Sequence, residues 1–548
     1  MTAHAEGEGG ARTRACRVDT RVGAGLTLQW LTQYRGLLAL ILVLIASVRI
    51  VSTYRPLSHT TDEPAHLAAG IEWIENGTYT YEDQHPPLPR VAGALGVHLS
   101  GSRWSRNKDM YDEGYHLLGQ SKRYNRALFF SRLFMLPFFW VGAAAVYFWG
   151  LRAAGAAPAV LATLLFTTTP PVLAHAGLAT TDMALTAFVS ATLVASLYWA
   201  EKPGWWRSTC FGIVLGLALL SKFSTLAFLP AAWLLMYPMH LWQQRPGLRA
   251  ALRQAVALIP WAALTAVIAA LLIWAGYRFD IGGLDYANVT LPAPAFFDGI
   301  RHAMKHNSIG HLAYLLGQRS QTGFWYYYPV VLAVKTPIAT LILMAAAIGF
   351  TISRSDRLPI AMPLAFVAAM LAVGLFSHIN IGVRHILPIY TGIAICAGAA
   401  LNRLFQSKHK WVVVSAAVLL LWQVATGALV HPDYIAYTNE FAGSHPERIL
   451  ADSDLDWDQG MRGLALRLDQ LGVQDLTFKL NSSGYMIANG HSFPRYQLMP
   501  DGDQPNPGWN AVCITAWKLS GQPKWAERIE PKERIHRSIY LYYFPPGK

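Results

Sequence analysis

The chain has 548 residues, 53% apolar and only 14% charged, against about a quarter charged in an ordinary soluble domain; this excludes a water-soluble globular protein and points to a membrane protein. The formal net charge of +13 is not a nucleic-acid signature, because the basic residues are scattered over short loops between apolar runs, as in cytoplasmic loops, rather than gathered along a phosphate-tracking groove. The four cysteines, Cys16, Cys210, Cys396 and Cys513, have no metal or redox spacing.

Residues 1–33 are polar and basic (Arg12, Arg14, Arg17, Arg21) and read as a disordered cytoplasmic N-terminus. The first apolar run, 35–54, lacks a small-residue cleavage site and reads as a retained anchor. The loop 55–125 mixes amphipathic stretches with Trp104, Tyr111 and Tyr115 and is expected to lie on the membrane surface. Further runs at 127–150, 156–176, 181–200, 208–221, 224–242, 254–277, 326–351, 358–377, 385–402 and 411–430 bring the total to about eleven spans of bilayer length. A second outer loop covers 278–325. The fold class is therefore α-helical, multi-pass and membrane-bound, with a membrane domain over 34–430. The tail 431–548 carries more charge, turn residues and alternating strands at 511–517 and 538–544, with a helix at 459–471; it reads as a small extracytoplasmic α/β domain.

Charge sets the orientation. With the N-terminus inside, alternation leaves Arg152; Lys202 and Arg207; Arg245, Arg249 and Arg253; Arg354 and Arg357; and Arg403, Lys408 and Lys410 in the inner loops. The same count puts Asp62, His85, Asp182, Lys222, Arg384, His385 and the tail on the outer side.

Ionisable groups at a membrane boundary are costly unless used. Asp62 and Glu63 follow the first span, and Asp182 opens a later one. Each could be a helix N-cap, but acids converging on one side at one depth, beside cations, form a candidate site. The cations are His85, Lys222, Lys335, Arg384 and His385. Lys335 lies several residues inside an apolar run, and Arg384 suits phosphate by its two-point geometry. Such a set fits the head group of a prenyl phosphate. Asp452–Asp458 alternates acids, yet lacks the glycine and glutamate of a calcium loop, with Trp457 and Gly463 there instead; it reads as a solvated strand or the acidic first turn of a helix, and no metal is assigned. A transporter or flippase of a lipid-linked or anionic solute is the alternative, but its ionisable groups belong at mid-membrane and its internal repeat is not visible here.

At these residues the chain resembles the polyprenyl-phosphate-dependent glycosyltransferases of the protein O-mannosyltransferase type, in the GT-C superfamily with the lipid A aminoarabinose transferases. Asp62-Glu63, HPPLP at 85–89, TTDM at 180–183, Lys222, WYYYP and KTP within 325–337 and RHILPIY at 384–390 carry the resemblance, with HPDYIAYTNEFAG at 431–443 and DSDLDWDQG at 452–460 in the tail. It implies transfer of a sugar from an undecaprenyl- or dolichyl-phosphate carrier to a lipid, glycan or protein acceptor, usually with inversion, at the outer face of a plasma membrane (in bacteria, the inner membrane). Asp62 matches the proposed base and Asp182 the second acid, with Glu63 beside them. A divalent metal is possible, since the related enzymes differ on this. Ala65-His66 and His85 stand where the aminoarabinose branch has Arg-Tyr and Lys, so His66 joins the substrate-side candidates and the resemblance extends to the transferase class rather than to aminoarabinose transfer.

Overall fold

The computed structural model describes residues 32–120, 123–244, 247–353, 358–489, 493–502 and 504–546. The basic segment holding Arg12, Arg14, Arg17 and Arg21 lies outside these residues, as do Arg245, Arg354 and Arg357.

Every apolar run becomes a helix or a bent helix pair. Among the described residues five helices are long and apolar enough to cross a membrane, and seven if each bent pair is one span. Four more apolar helices, Trp205–Leu219, Thr225–Met239, Ile360–Leu375 and Ile389–Phe405, are shorter. The bent pairs break at proline. Ala156–Thr168 meets Pro170–Ala176 at 66°, and Tyr327–Lys335 meets Ile338–Ile352 at 115°. The residue before a proline is pushed out of the helical region, and Thr169 and Thr336 are extended, with ψ of 117° and 132°. The first break leads into the loop before Asp182; the second ends a helix at Lys335.

The loop 55–125 folds into helices Glu63–Glu75, Pro87–Ser100 and Met110–Gly119. The expectation that it lies along the membrane surface meets a different arrangement. Glu63–Glu75 is buried from Glu63 through Glu72, so it is packed into protein rather than laid on a surface by one apolar face. Glycine permits this closeness: a Cβ on Gly70 would stand 2.2 Å from the Arg90 carbonyl oxygen, and one on Gly114 2.2 Å from that of Pro64. The loop 278–325 holds two short hairpins around the helix Pro294–Ile309.

In the tail a five-stranded sheet runs in the order Arg495–Leu498, Asp475–Lys479, Gly508–Cys513, Ile539–Phe544, Glu533–Ile535. The first three strands are parallel and the other pairings antiparallel. Met461–Gln470 is helical and Ile539–Phe544 a strand, as expected. The strand expected over 511–517 ends at Cys513, and Ile514–Ser520 is a helix: the Asp456 side chain accepts from the Thr515 amide at 3.1 Å and withdraws it from the ladder. Before the sheet, residues 431–460 form a strap of short 3₁₀ turns. The acidic run lies in this strap. It is not a solvated strand, because Asp454, Asp456 and Asp458 are buried; Asp452–Asp454 is a short 3₁₀ turn with acids in it.

Candidate active site

Asp62 sits at the N-cap of Glu63–Glu75 but its side chain caps nothing. Its Oδ2 instead accepts from Arg384 Nη1 at 2.9 Å, across 322 residues of chain. Asp182, the first residue of Asp182–Glu201, is fully buried; its Oδ1 accepts from Lys222 Nζ at 2.7 Å and its Oδ2 lies 3.8 Å from the same Arg384 nitrogen. Arg384 thus joins the two acids, and Lys222 neutralises the deeper one. The Asp62 side chain is 30% exposed, and its Oδ1 makes no hydrogen bond among the described residues.

Arg384 is itself held from behind. Its Nε donates to Ser453 Oγ at 3.1 Å, and its guanidinium lies 4.0 Å from the centre of the Trp457 ring. Asp454 Oδ1 accepts from the Val383 amide at 3.0 Å. Gly382, at φ 139°, leaves room for Ser453, whose Oγ would be 2.3 Å from a Cβ there. Ser453 Oγ also donates to the Ile381 carbonyl.

Glu63 has a different place from Asp62. It is 0% exposed, and its two oxygens accept from Arg132 at 2.9 and 2.8 Å, the Thr60 amide at 2.7 Å and the Ala179 amide at 2.8 Å. Burial opposes its charge, yet the Arg132 guanidinium and these donors hold its carboxyl below the usual range. With no lone pair left for a substrate, Glu63 ties the Asp62 loop to the one leading into Asp182.

The histidines divide similarly. Arg90 is buried and paired with Glu82, and it donates to His66 Nδ1 at 3.1 Å. Burial, with Arg90 and His85 nearby, pushes His66 well below its usual pKa, so it is a neutral acceptor and not a phosphate-binding cation. His85 is more open, with its side chain 31% exposed and Nδ1 3.1 Å from Glu82. Its ring meets that of His66 edge-on at 5.3 Å. Burial works against the Glu82 charge, but Arg90 and His85 hold it well below the carboxylate range. His385 is half-buried, and its Nε2 is enclosed with no hydrogen-bond partner among the described residues. Lys335 is not directed at the acids: Nζ donates to the carbonyls of Ile435 and Asp454, both at 2.6 Å, which fastens the strap to Tyr327–Lys335.

Among the described residues, one group could hold a metal. Asp456, Asp458 and Cys513 place ligand atoms within 4.8 Å of one another. Burial raises Asp456 to about 8, with Asp458 adding to it, and raises Asp458 to about 7; the Cys513 thiol is also pushed well up by burial. Asp452 is raised by burial to about 6 despite Arg384.

Reading the sequence for chemistry did not single out Arg90, Glu82, Arg132, Ser453 or Trp457. The last two lie in DSDLDWDQG, which carries the resemblance in the tail; that motif was the available signal.

The pattern of the family described as dolichyl-phosphate-mannose-protein mannosyltransferase matches residues 39–280, which include Asp62, His85, Asp182 and Lys222. No curated protein sequence matches the chain. Among solved structures, apo ArnT from Cupriavidus metallidurans aligns with TM-score 0.50 at 14% identity, over 93% of this chain and 99% of that one. The protein O-mannosyltransferase Pmt1-Pmt2 complex of S. cerevisiae, bound to the sugar donor, aligns with TM-score 0.51 at 11% identity, over 73% and 90%. The oligosaccharyltransferase AglB of Archaeoglobus fulgidus, in complex with an inhibitory peptide and a dolichol-phosphate, aligns with TM-score 0.50 at 11% identity, over 90% and 72%. The family pattern spans the first loop and both acids, and the solved structures share the fold, so the chain is similar to the protein O-mannosyltransferases over 39–280 and to membrane enzymes of the ArnT, AglB and Pmt1-Pmt2 kind in overall architecture.

Proposed function

We propose that the chain moves a sugar from a polyprenyl-phosphate carrier to an acceptor hydroxyl, with Asp62 as general base. The observation that carries this is the meeting of Asp62, Asp182 and Lys222 around Arg384. The acceptor oxygen attacks the anomeric carbon, the bond from that carbon to the phosphate oxygen breaks, the hydroxyl proton passes to Asp62 Oδ1, and the lipid phosphate leaves with the electron pair. A single displacement inverts the anomeric centre. Arg384, with Lys222, the more open His85 and the unpartnered Nε2 of His385, supplies positive charge and donors where the leaving phosphate gains charge. Asp182 keeps Lys222 and Arg384 in place, while Glu63 and His66 stand behind the site and position it.

A positioned base contributes roughly 10²–10⁴-fold, so Asp62→Asn is expected to lower kcat by about that factor in vesicles given a labelled polyprenyl-phosphate sugar. Normal transfer at normal expression would remove Asp62 as the base. The site and the tail lie on the extracytoplasmic side of the plasma membrane, in an eleven-span arrangement with the N-terminus inside. The sign of the loop charges supports this. A cysteine introduced at exposed Thr78 is then labelled by a membrane-impermeant thiol reagent in intact cells. Protection there, with labelling only after lysis, would reverse the orientation.

A further inference from the structure

We propose that Trp457 and Ser453 of the tail strap are positioning residues of the transfer site: they set the one orientation of Arg384 that steadies Asp62 through a single nitrogen and leaves the other terminal nitrogen for the lipid phosphate. The inference rests on the transferase reading above. A guanidinium presents its donors in one plane. Here Nε is taken by Ser453 Oγ at 3.1 Å, one face is covered by the Trp457 ring at 4.0 Å, and Nη1 goes to Asp62 at 2.9 Å. These three directions fix both the plane and the rotation within it. Nη2 makes no hydrogen bond among the described residues.

An arginine free to turn beside a carboxylate takes up the two-point pairing. That pairing would engage both Asp62 oxygens, weakening the base, and both terminal nitrogens, removing the phosphate donor. The strap prevents it and is anchored to do so on both sides. Toward the base, Trp457 O accepts from the Thr61 amide at 3.2 Å and Asp458 Oδ2 accepts from Thr61 Oγ1 at 3.0 Å. Toward the arginine, Asp454 holds the Val383 amide at 3.0 Å, and Lys335 holds the Asp454 carbonyl at 2.6 Å. The loop carrying Asp62 and the turn carrying Arg384 therefore share one template, supplied by a segment far from either in sequence.

The test compares Trp457→Leu, Trp457→Phe and Ser453→Ala in the full-length membrane protein, measuring kcat, donor KM, acceptor KM and melting temperature. Trp457→Leu is expected to raise the donor KM about tenfold and to lower kcat, with the acceptor KM unchanged. Trp457→Phe, which keeps an aromatic face, recovers most of the loss, and Ser453→Ala raises the donor KM and lowers kcat as Asp62 gains a second arginine contact. Wild-type donor KM in Trp457→Leu, or Trp457→Phe behaving as badly as Trp457→Leu at wild-type melting temperature, overturns the inference. Binding of undecaprenyl phosphate to the purified protein needs no turnover and separates the two readings. If no sugar is transferred, the transferase reading fails, while unchanged binding in Trp457→Leu overturns the inference on its own terms.

Discussion

Replacing Glu63 by glutamine tests how the two acidic loops are held together. The carboxylate accepts from Arg132 Nε and Nη2 and from the Thr60 and Ala179 amides at 2.7–2.9 Å, and both ionic side chains are 0% exposed. Glutamine keeps the volume but removes the charge, leaving the Arg132 guanidinium buried without a counter-ion. Breaking such a pair from one side costs about 3–5 kcal/mol. Its amide NH₂ must also face a donor, and an unsatisfied buried group costs about 1–3 kcal/mol. The sum, roughly 4–8 kcal/mol, is a large part of the stability of an ordinary domain. The variant should show a clearly lowered melting temperature by intrinsic tryptophan fluorescence in detergent, with transfer lost in proportion to the unfolded fraction. Removing both charges in Glu63→Gln/Arg132→Met should recover part of the loss, because no buried charge then lacks a partner. A single variant melting with the wild type, or a double variant as unstable as the two single losses added, would refute the reasoning.

Gly70→Ala places a methyl group 2.2 Å from a backbone oxygen and 2.6 Å from the Ala94 Cβ, so the helix carrying Arg90 must move; we expect a loss of about 3 kcal/mol and reduced transfer. Gly36→Ala, with nothing within 4 Å, should leave the melting temperature unchanged or higher. The tail acids give a pH test. Asp456 and Asp458 are raised by burial to about 8 and 7, so the folded state holds protons that the unfolded chain releases near pH 4. Their stabilisation is complete below that pH and is lost as pH rises through 7 and 8. His59 and His66, held low by burial, add stability with rising pH only up to about 6.5, below this window. Between pH 7 and 9 the wild type should therefore lose melting temperature more steeply than Asp456→Asn, and equal slopes would refute the assignment.

Composition and periodicity settled the class of protein. Low charge and long apolar runs dictate apolar helices, some packed in protein and others with most of their surface left uncovered by it, and the sign of the loop charges suggested which acids and cations share a side. That Asp62, Asp182, Lys222 and Arg384 were candidates was legible because charge at a membrane boundary is costly enough to stand out, and the structure brings their side chains together. The roles of Glu63 and Lys335 were not legible. Both are ionisable residues in apolar surroundings, and periodicity cannot distinguish a charge that faces a substrate from one consumed by Arg132 or by two backbone carbonyls. The acidic run at 452–458 was misread for a related reason: alternating acids suggest solvent until it is known which amides and hydroxyls surround them. Each run of sequence states what a residue can donate or accept. Which partner takes it up was decided by tertiary structure, because Ser453 reaches Arg384 across 69 residues, with Trp457 beside it, and Arg384 reaches Asp62 across 322, only once those segments have packed together.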